Sequence, residues 1–137
     1  MTRKPQERGA AAVEFALVLL PLVLLVFGIC EFGWIFNQQV SLSNAARESA
    51  RYYAVHEHLV VSPADRAALK VAAEGYGESA APSVDWSTGG VTVIDHCAES
   101  DPYVEATAEI DMPSLTGFFD AILGDDLTGK GKTTCGG

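Results

Sequence analysis

The chain opens on a short polar tip and then turns almost wholly apolar. Residues 1–9 read MTRKPQERG, with Arg3, Lys4 and Arg8 set against Glu7. From Ala10 to Phe36 the run AAAVEFALVLLPLVLLVFGICEFGWIF carries only two charges, Glu14 and Glu31. As a helix that run is about 40 Å long, enough to cross a hydrocarbon core of about 30 Å with tilt. Phe32, Trp34 and Phe36 stand at its far end, where an aromatic belt is expected. Pro21 is tolerable inside a membrane helix, because neighbouring groups re-satisfy the freed backbone. A secretory signal peptide shares the basic tip, but the run is too long for its apolar core and no A-x-A site follows. A core helix of this length would be unusual in so small a domain.

Beyond the run the pattern changes period. Phe36, Val40, Ala46, Ala50 and Tyr53 recur at helical spacing, with Ser43 at the missing step, so the first helix is expected to continue to about His56. This narrow stripe of small residues suits close packing on a sheet, with Arg47, Glu48 and Arg51 off it, a charge cluster that reads equally as a solvated face or as a functional one. Ser62-Pro63-Ala64-Asp65 reads as a helix start: a serine N-cap, proline in the first turn and an acid three residues on. Aspartate there makes a weak capping box. Leu69, Ala72, Ala73 and Tyr76 form the predicted buried face, and Gly75 and Gly77 are expected to end the helix near residue 77.

Strands follow. Val91 to Ile94 is a short one, introduced by a Gly89-Gly90 turn. In Tyr103 to Met112, the residues Val104, Ala106, Ala108, Ile110 and Met112 alternate with Glu105, Thr107, Glu109 and Asp111, so one face is buried and the other exposed. Leu115, Phe118, Phe119, Ile122 and Leu123 make an apolar patch in a short helix or loop, and Leu127 to Thr134 is a candidate closing strand. One long helix, a short helix and a small antiparallel sheet make an α+β fold. The organisation expected is a leader at 1–9, a transmembrane helix at 10–36 continuing to about 56, and an α+β domain at 57–137.

Composition narrows the function. The chain has 137 residues, 18 acidic against 9 basic, and a formal net charge of -9. That balance argues against nucleic acid, which needs a basic face. A hydrophobic fraction of 48% with 9% aromatics excludes a disordered acidic chain. The positive-inside bias is modest, since Arg47 and Arg51 follow the apolar run, but it favours the tip in the cytoplasm and the rest outside. Candidate chemistry is thin. His56 and His58 have no third ligand near them, and the adjacent Asp95-His96-Cys97 cannot all converge on one ion. Neither does that triplet place a Cys/His pair for nucleophilic attack. Asp125-Asp126 lacks the spaced ligands of a calcium loop, and no Gly-rich phosphate cradle occurs. No catalytic residue, metal, cofactor or small-molecule substrate is therefore expected. Glu105, Glu109 and Asp111 read as a solvated strand face, with a basic partner as the alternative. Cys30 lies in the apolar run as a small hydrophobe. Cys97 and Cys135 are the two cysteines of the part placed outside, where disulfides persist, and are expected to be bonded to each other.

The opening of the apolar run is its most unusual feature. Gly9-Ala10 follows the basic tip, and a carboxylate, Glu14, sits inside the run just before Phe15. A carboxylate at that depth is costly, about 2.5 kcal/mol or more at a helix centre, and points to a function; snorkelling to the interface is the alternative. Gly-Ala, three further residues and Glu-Phe resemble the cleavage site of Flp-type type IVb prepilins. Together with Pro21, Glu31-Phe32-Gly33 and Asn44-Ala45-Ala46-Arg47-Glu48…Ala50-Arg51, the segment Arg8 to Ala54 resembles the TadE family of pilin-like proteins from tight-adherence pilus systems.

The resemblance implies a pilin-like fold and processing between Gly9 and Ala10 by a membrane-embedded prepilin peptidase whose catalytic aspartates are its own. It implies that Glu14 pairs with the free amine of a neighbouring subunit. It implies a minor pilin or pseudopilin whose partners are the membrane, other pilin-like subunits and the assembly platform. A single-pass, membrane-anchored binding module that never enters a fibre is the alternative.

Overall fold

The computed structural model describes residues 5–111, 117, 124 and 126–136, with side chains from residue 9 onward. Helix α1 runs Pro5–His56, with Pro21 inside it, and a 3-10 turn at Glu57–Leu59 follows. Helix α2 spans Pro63–Ser79, and a second 3-10 turn covers Trp86–Thr88. Three strands, β1 (Gly89–Asp95), β2 (Tyr103–Asp111) and β3 (Asp126–Thr134), form one antiparallel sheet in the order β1-β2-β3. The fold is α+β, with the element order that the periodicities predict. The chain divides into two units, Met1–Trp34 and Ile35–Gly137, so the second takes in the last part of α1.

The start of α2 follows from its sequence. Ser62 Oγ accepts from the Asp65 amide at 3.1 Å, and the Asp65 carboxylate accepts from the Ser62 amide at 3.2 Å. The capping box is therefore complete, and two of the helix's orphan donors are satisfied reciprocally. The helix continues past the expected end to Ser79, because Gly77 is used for packing rather than termination. A Cβ at Gly77 would lie 2.8 Å from both Ala45 O and Ser49 Cβ, so α2 rests on α1 through a bare backbone. That contact rotates the buried face of α2 to Ala73 and Gly77. Tyr76 and Ala72 are exposed and Leu69 half-buried, contrary to the face expected from apolarity alone.

The same correction applies to α1. Phe36 and Val40 are exposed, while Leu42, Ala45, Ala46, Ser49, Ala50, Tyr53 and Ala54 are buried. The buried surface is broader than one stripe because α2 covers one side of the helix and the sheet another. Ala45 and Ser49 face α2 at Gly77, whereas the backbone of 42–43 and 46–47 faces β3. The sheet contributes Val91, Val93, Val104, Ala106, Ala108 and Ile110 to this core. On β2 the alternation is the one the sequence predicts. The candidate closing strand forms as β3, and Gly89 and Gly90 are the first residues of β1 rather than a turn before it. Met112, Leu115, Phe118, Phe119, Ile122 and Leu123 lie outside the described residues.

Candidate functional site

Gly9, Ala10, Glu14 and Phe15 all lie on α1 and all are exposed. They occupy consecutive helical turns, so the small pair and the carboxylate follow one another along the axis at about 1.5 Å per residue. Among the described residues nothing crowds Gly9: a Cβ there would meet no atom within 4 Å. The apolar side chains that follow, from Val13 through Ile29, are also exposed, with Leu17 71% accessible. Among the described residues this is one helix long and apolar enough to cross a membrane. In water such a surface would be strongly unfavourable at about 25 cal/mol per Å²; lipid tails or neighbouring apolar helices would cover it at no such cost. Glu31, further along, is buried.

In the unit from Ile35 onward, a polar cluster ties three elements together. Tyr53 of α1 donates from its hydroxyl to Asp95 Oδ2 at 2.7 Å, and Arg66 of α2 places Nη1 3.5 Å from the same oxygen. Asp95 Oδ1 accepts from the Cys97 amide at 2.8 Å. Burial raises the Asp95 pKa, but the Cys97 amide, the Tyr53 hydroxyl, Arg66 and Lys70 outweigh it and hold the carboxyl below its ordinary value. Burial, reinforced by the hydrogen bond to Asp95 and by its negative charge, pushes the Tyr53 hydroxyl far above its usual range. Both groups are thereby kept from titrating near neutral pH, so the pair is a tie and not a poised proton carrier.

Cys97 and Cys135 are joined in a disulfide, with Cα atoms 5.7 Å apart. Asp95, Cys97 and Cys135 lie close enough to suggest a metal site, but both sulfurs are already bonded to each other and offer no thiolate. The bond fastens the end of β3 to the loop after β1, and the Cys135 amide adds a hydrogen bond to Pro102 O at 3.2 Å. His96 pairs through Nδ1 with Glu99 at 2.7 Å and stacks on Tyr103.

Two features were missed by sequence reasoning. The Tyr53–Asp95–Arg66 cluster joins residues far apart in the chain, and no local spacing announces it. Gly129 and Gly131 press on α1: a Cβ at Gly131 would lie 2.5 Å from the Arg47 amide nitrogen, and one at Gly129 would collide with the Leu42–Ser43 backbone. Their alternation in LTGKGKT is a signal that could have been read as a strand lying flat on a helix.

Residues 9–51 match the family model described as TadE-like protein. The matched segment begins at the Gly9-Ala10 pair and ends at Arg51, within the Arg8 to Ala54 stretch that carries the resemblance. No curated protein matches the chain, and no solved structure does.

Proposed function

We propose, with the TadE-like match over residues 9–51 as the premise, that the chain is a minor pilin or pseudopilin of a tight-adherence pilus system, processed after Gly9 and working by packing its first helix with those of other pilin-like subunits. The family match supports a Tad pilus-associated protein with a single apolar helix near its amino end. The observation that carries the finer reading is the placing of Gly9, Ala10, Glu14 and Phe15 at the head of a helix whose apolar side chains are exposed from Val13 to Ile29.

The proposed mechanism follows from the charges. With the tip in the cytoplasm, Arg3, Lys4 and Arg8 hold the helix at that face of the bilayer. A prepilin peptidase cuts after Gly9, where the missing Cβ lets the substrate backbone approach closely. The cut removes the anchor and creates an amine at Ala10. In a bundle of apolar helices that amine and the Glu14 carboxylate of a neighbour are each costly alone and much less so as a pair. Assembly is then set in register by one ion pair per subunit, while the exposed apolar side chains supply contact area. The reading involves no catalytic step by this chain and no cofactor.

Mass spectrometry of the membrane-extracted protein, from cells with and without an active prepilin peptidase, tests it. The expected product begins at Ala10 only where the peptidase is active. Gly9→Val should block the cut by placing a branched side chain at the point of approach. An intact amino terminus in the presence of active peptidase would overturn the pilin reading and leave a membrane-anchored binding module.

A further inference from the structure

Among the described residues β3 is the outer strand of the sheet, and no described strand pairs with its outer edge. In an antiparallel ladder the N–H and C=O of one residue point to the same side, and the side alternates along the strand. The Cys135 amide bonds to Pro102 O on the β2 side, so the odd-numbered residues of β3 face β2. The even-numbered ones, Thr128, Lys130, Lys132 and Thr134, direct their N–H and C=O outward. Thr128 O confirms this, since it accepts from Gln39 Nε2 of α1 at 2.7 Å. The opposite edge of the sheet differs: α2 packs there, and Glu74 Oε1 takes the Val93 amide at 3.1 Å.

Two further observations say what suits the β3 edge. The side chains of Lys130 and Lys132 are exposed on the outer face of the sheet, and Lys132 Nζ lies 3.5 Å over the Tyr103 ring. On the inner face, Gly129 and Gly131 bring α1 directly beneath the strand. On α1 a groove of about 310 Å³ is lined by Gln39, Val40, Ser43, Asn44 and Arg47, and the backbone at Ser43 and Arg47 lies against Gly129 and Gly131. Gln39 joins the two by its bond to Thr128.

We infer that the β3 edge, with the groove beside it, is a docking strand for an extended acidic segment of a different protein, bound by strand addition. Added residues that point to the outer face would stand across from Lys130 and Lys132 at about 5 Å between Cβ atoms; Glu105 already stands opposite Lys132, so a carboxylate fits best at Lys130, which stands opposite Thr107. Alternate residues would point toward the groove, where Val40 and Ser43 accept small apolar side chains. Main-chain hydrogen bonds give affinity and the alternate positions give selectivity. A second copy of the chain is a poorer occupant. Its β1 edge is covered by α2 and Glu74, and its own β3 would bring lysines against lysines. The inference rests on the folded unit and not on processing at Gly9, so it stands or falls separately.

The test uses the full chain in nanodiscs with two synthetic heptapeptides of alternating pattern, TEVEVET and its lysine counterpart TKVKVKT. Fluorescence anisotropy reads binding, and amide hydrogen exchange reads the edge. The acidic peptide should bind, slow exchange at the Lys130 and Lys132 amides, and weaken with added salt; the basic one should not bind. Lys130→Pro removes an outward N–H without touching the β2 ladder, and should lower affinity about tenfold or more, as loss of one hydrogen bond and its pairing geometry implies. Lys130→Thr removes the same charge but keeps the edge, and should cost only a few-fold. Near-ultraviolet circular dichroism confirms that both variants fold. Equal affinity of the two variants would reduce the effect to charge attraction and overturn strand addition. No protection at Lys130 and Lys132, or concentration-dependent self-association abolished by Lys130→Pro, would overturn the acidic-partner assignment.

Discussion

Two glycines on one helix give opposite predictions. Gly75 and Gly77 both lie inside α2, where replacing glycine by alanine normally stabilises a helix by about 1 kcal/mol. At Gly75 a Cβ meets nothing within 4 Å, so the whole gain should be realised. At Gly77 the same Cβ would stand 2.8 Å from Ala45 O and from Ser49 Cβ, well inside van der Waals contact. Ala45 O belongs to the backbone of α1 and cannot rotate away, so the helices must separate. Forcing an extra carbon into a packed contact of this kind typically costs about 1–3 kcal/mol. The propensity gain is common to both variants, so their difference isolates the clash: Gly77→Ala should be less stable than Gly75→Ala by about 1–3 kcal/mol. At about 4–8 °C per kcal/mol for a unit of this size, that separation is large in a thermal scan. Trp86 donates from Nε1 to Glu78 O beside α2, so its fluorescence reports the melting of this contact. The assay is thermal unfolding of the full chain in detergent, followed by tryptophan emission. If Gly77→Ala melts at or above Gly75→Ala, α2 does not rest on α1 through Gly77, and the packing argument fails.

Other predictions follow from the site. Replacing both Cys97 and Cys135 by serine should remove about 4 kcal/mol by the chain-entropy estimate for a separation of 38 residues, read as a lower denaturant midpoint against the oxidised protein. The depressed Asp95 contributes stability that is present above its unfolded value of 3.8 and lost as pH falls through the folded one. The raised Tyr53 contributes stability that is present below its unfolded value of 10.0 and lost as pH rises above it. Melting temperature should therefore fall on both sides of a plateau between about pH 4 and pH 10. Asp95→Asn should flatten the acid limb, and an unchanged acid limb would remove Asp95 from the account. Glu14→Gln should insert and be cut like the native chain, because an amide costs less than a carboxylate in hydrocarbon. Its crosslinking to pilin-like partners should fall; association at the native level would make Glu14 a snorkelling interfacial acid.

What could be read from the sequence alone was local. The apolar run, the Ser62–Asp65 cap and the alternation of β2 each depend on neighbours within a few residues, and each stands where the pattern puts it. The Gly9–Phe15 stretch is likewise a pattern of spacing along one helix, and the TadE-like match begins at Gly9. Tertiary structure decided which surfaces those elements bury. Apolarity chose Phe36, Val40 and Tyr76, yet all three are exposed, while Gly77 and Ser49 are buried. Close approach of α2 and β3 to α1 rewards the smallest side chains, and size matters there more than hydrophobicity. The Tyr53–Asp95–Arg66 tie and the outward edge of β3 belong to the same class. Each exists only once strands and helices are brought together, because hydrogen bonds and charges act through space and leave no periodic trace along the chain.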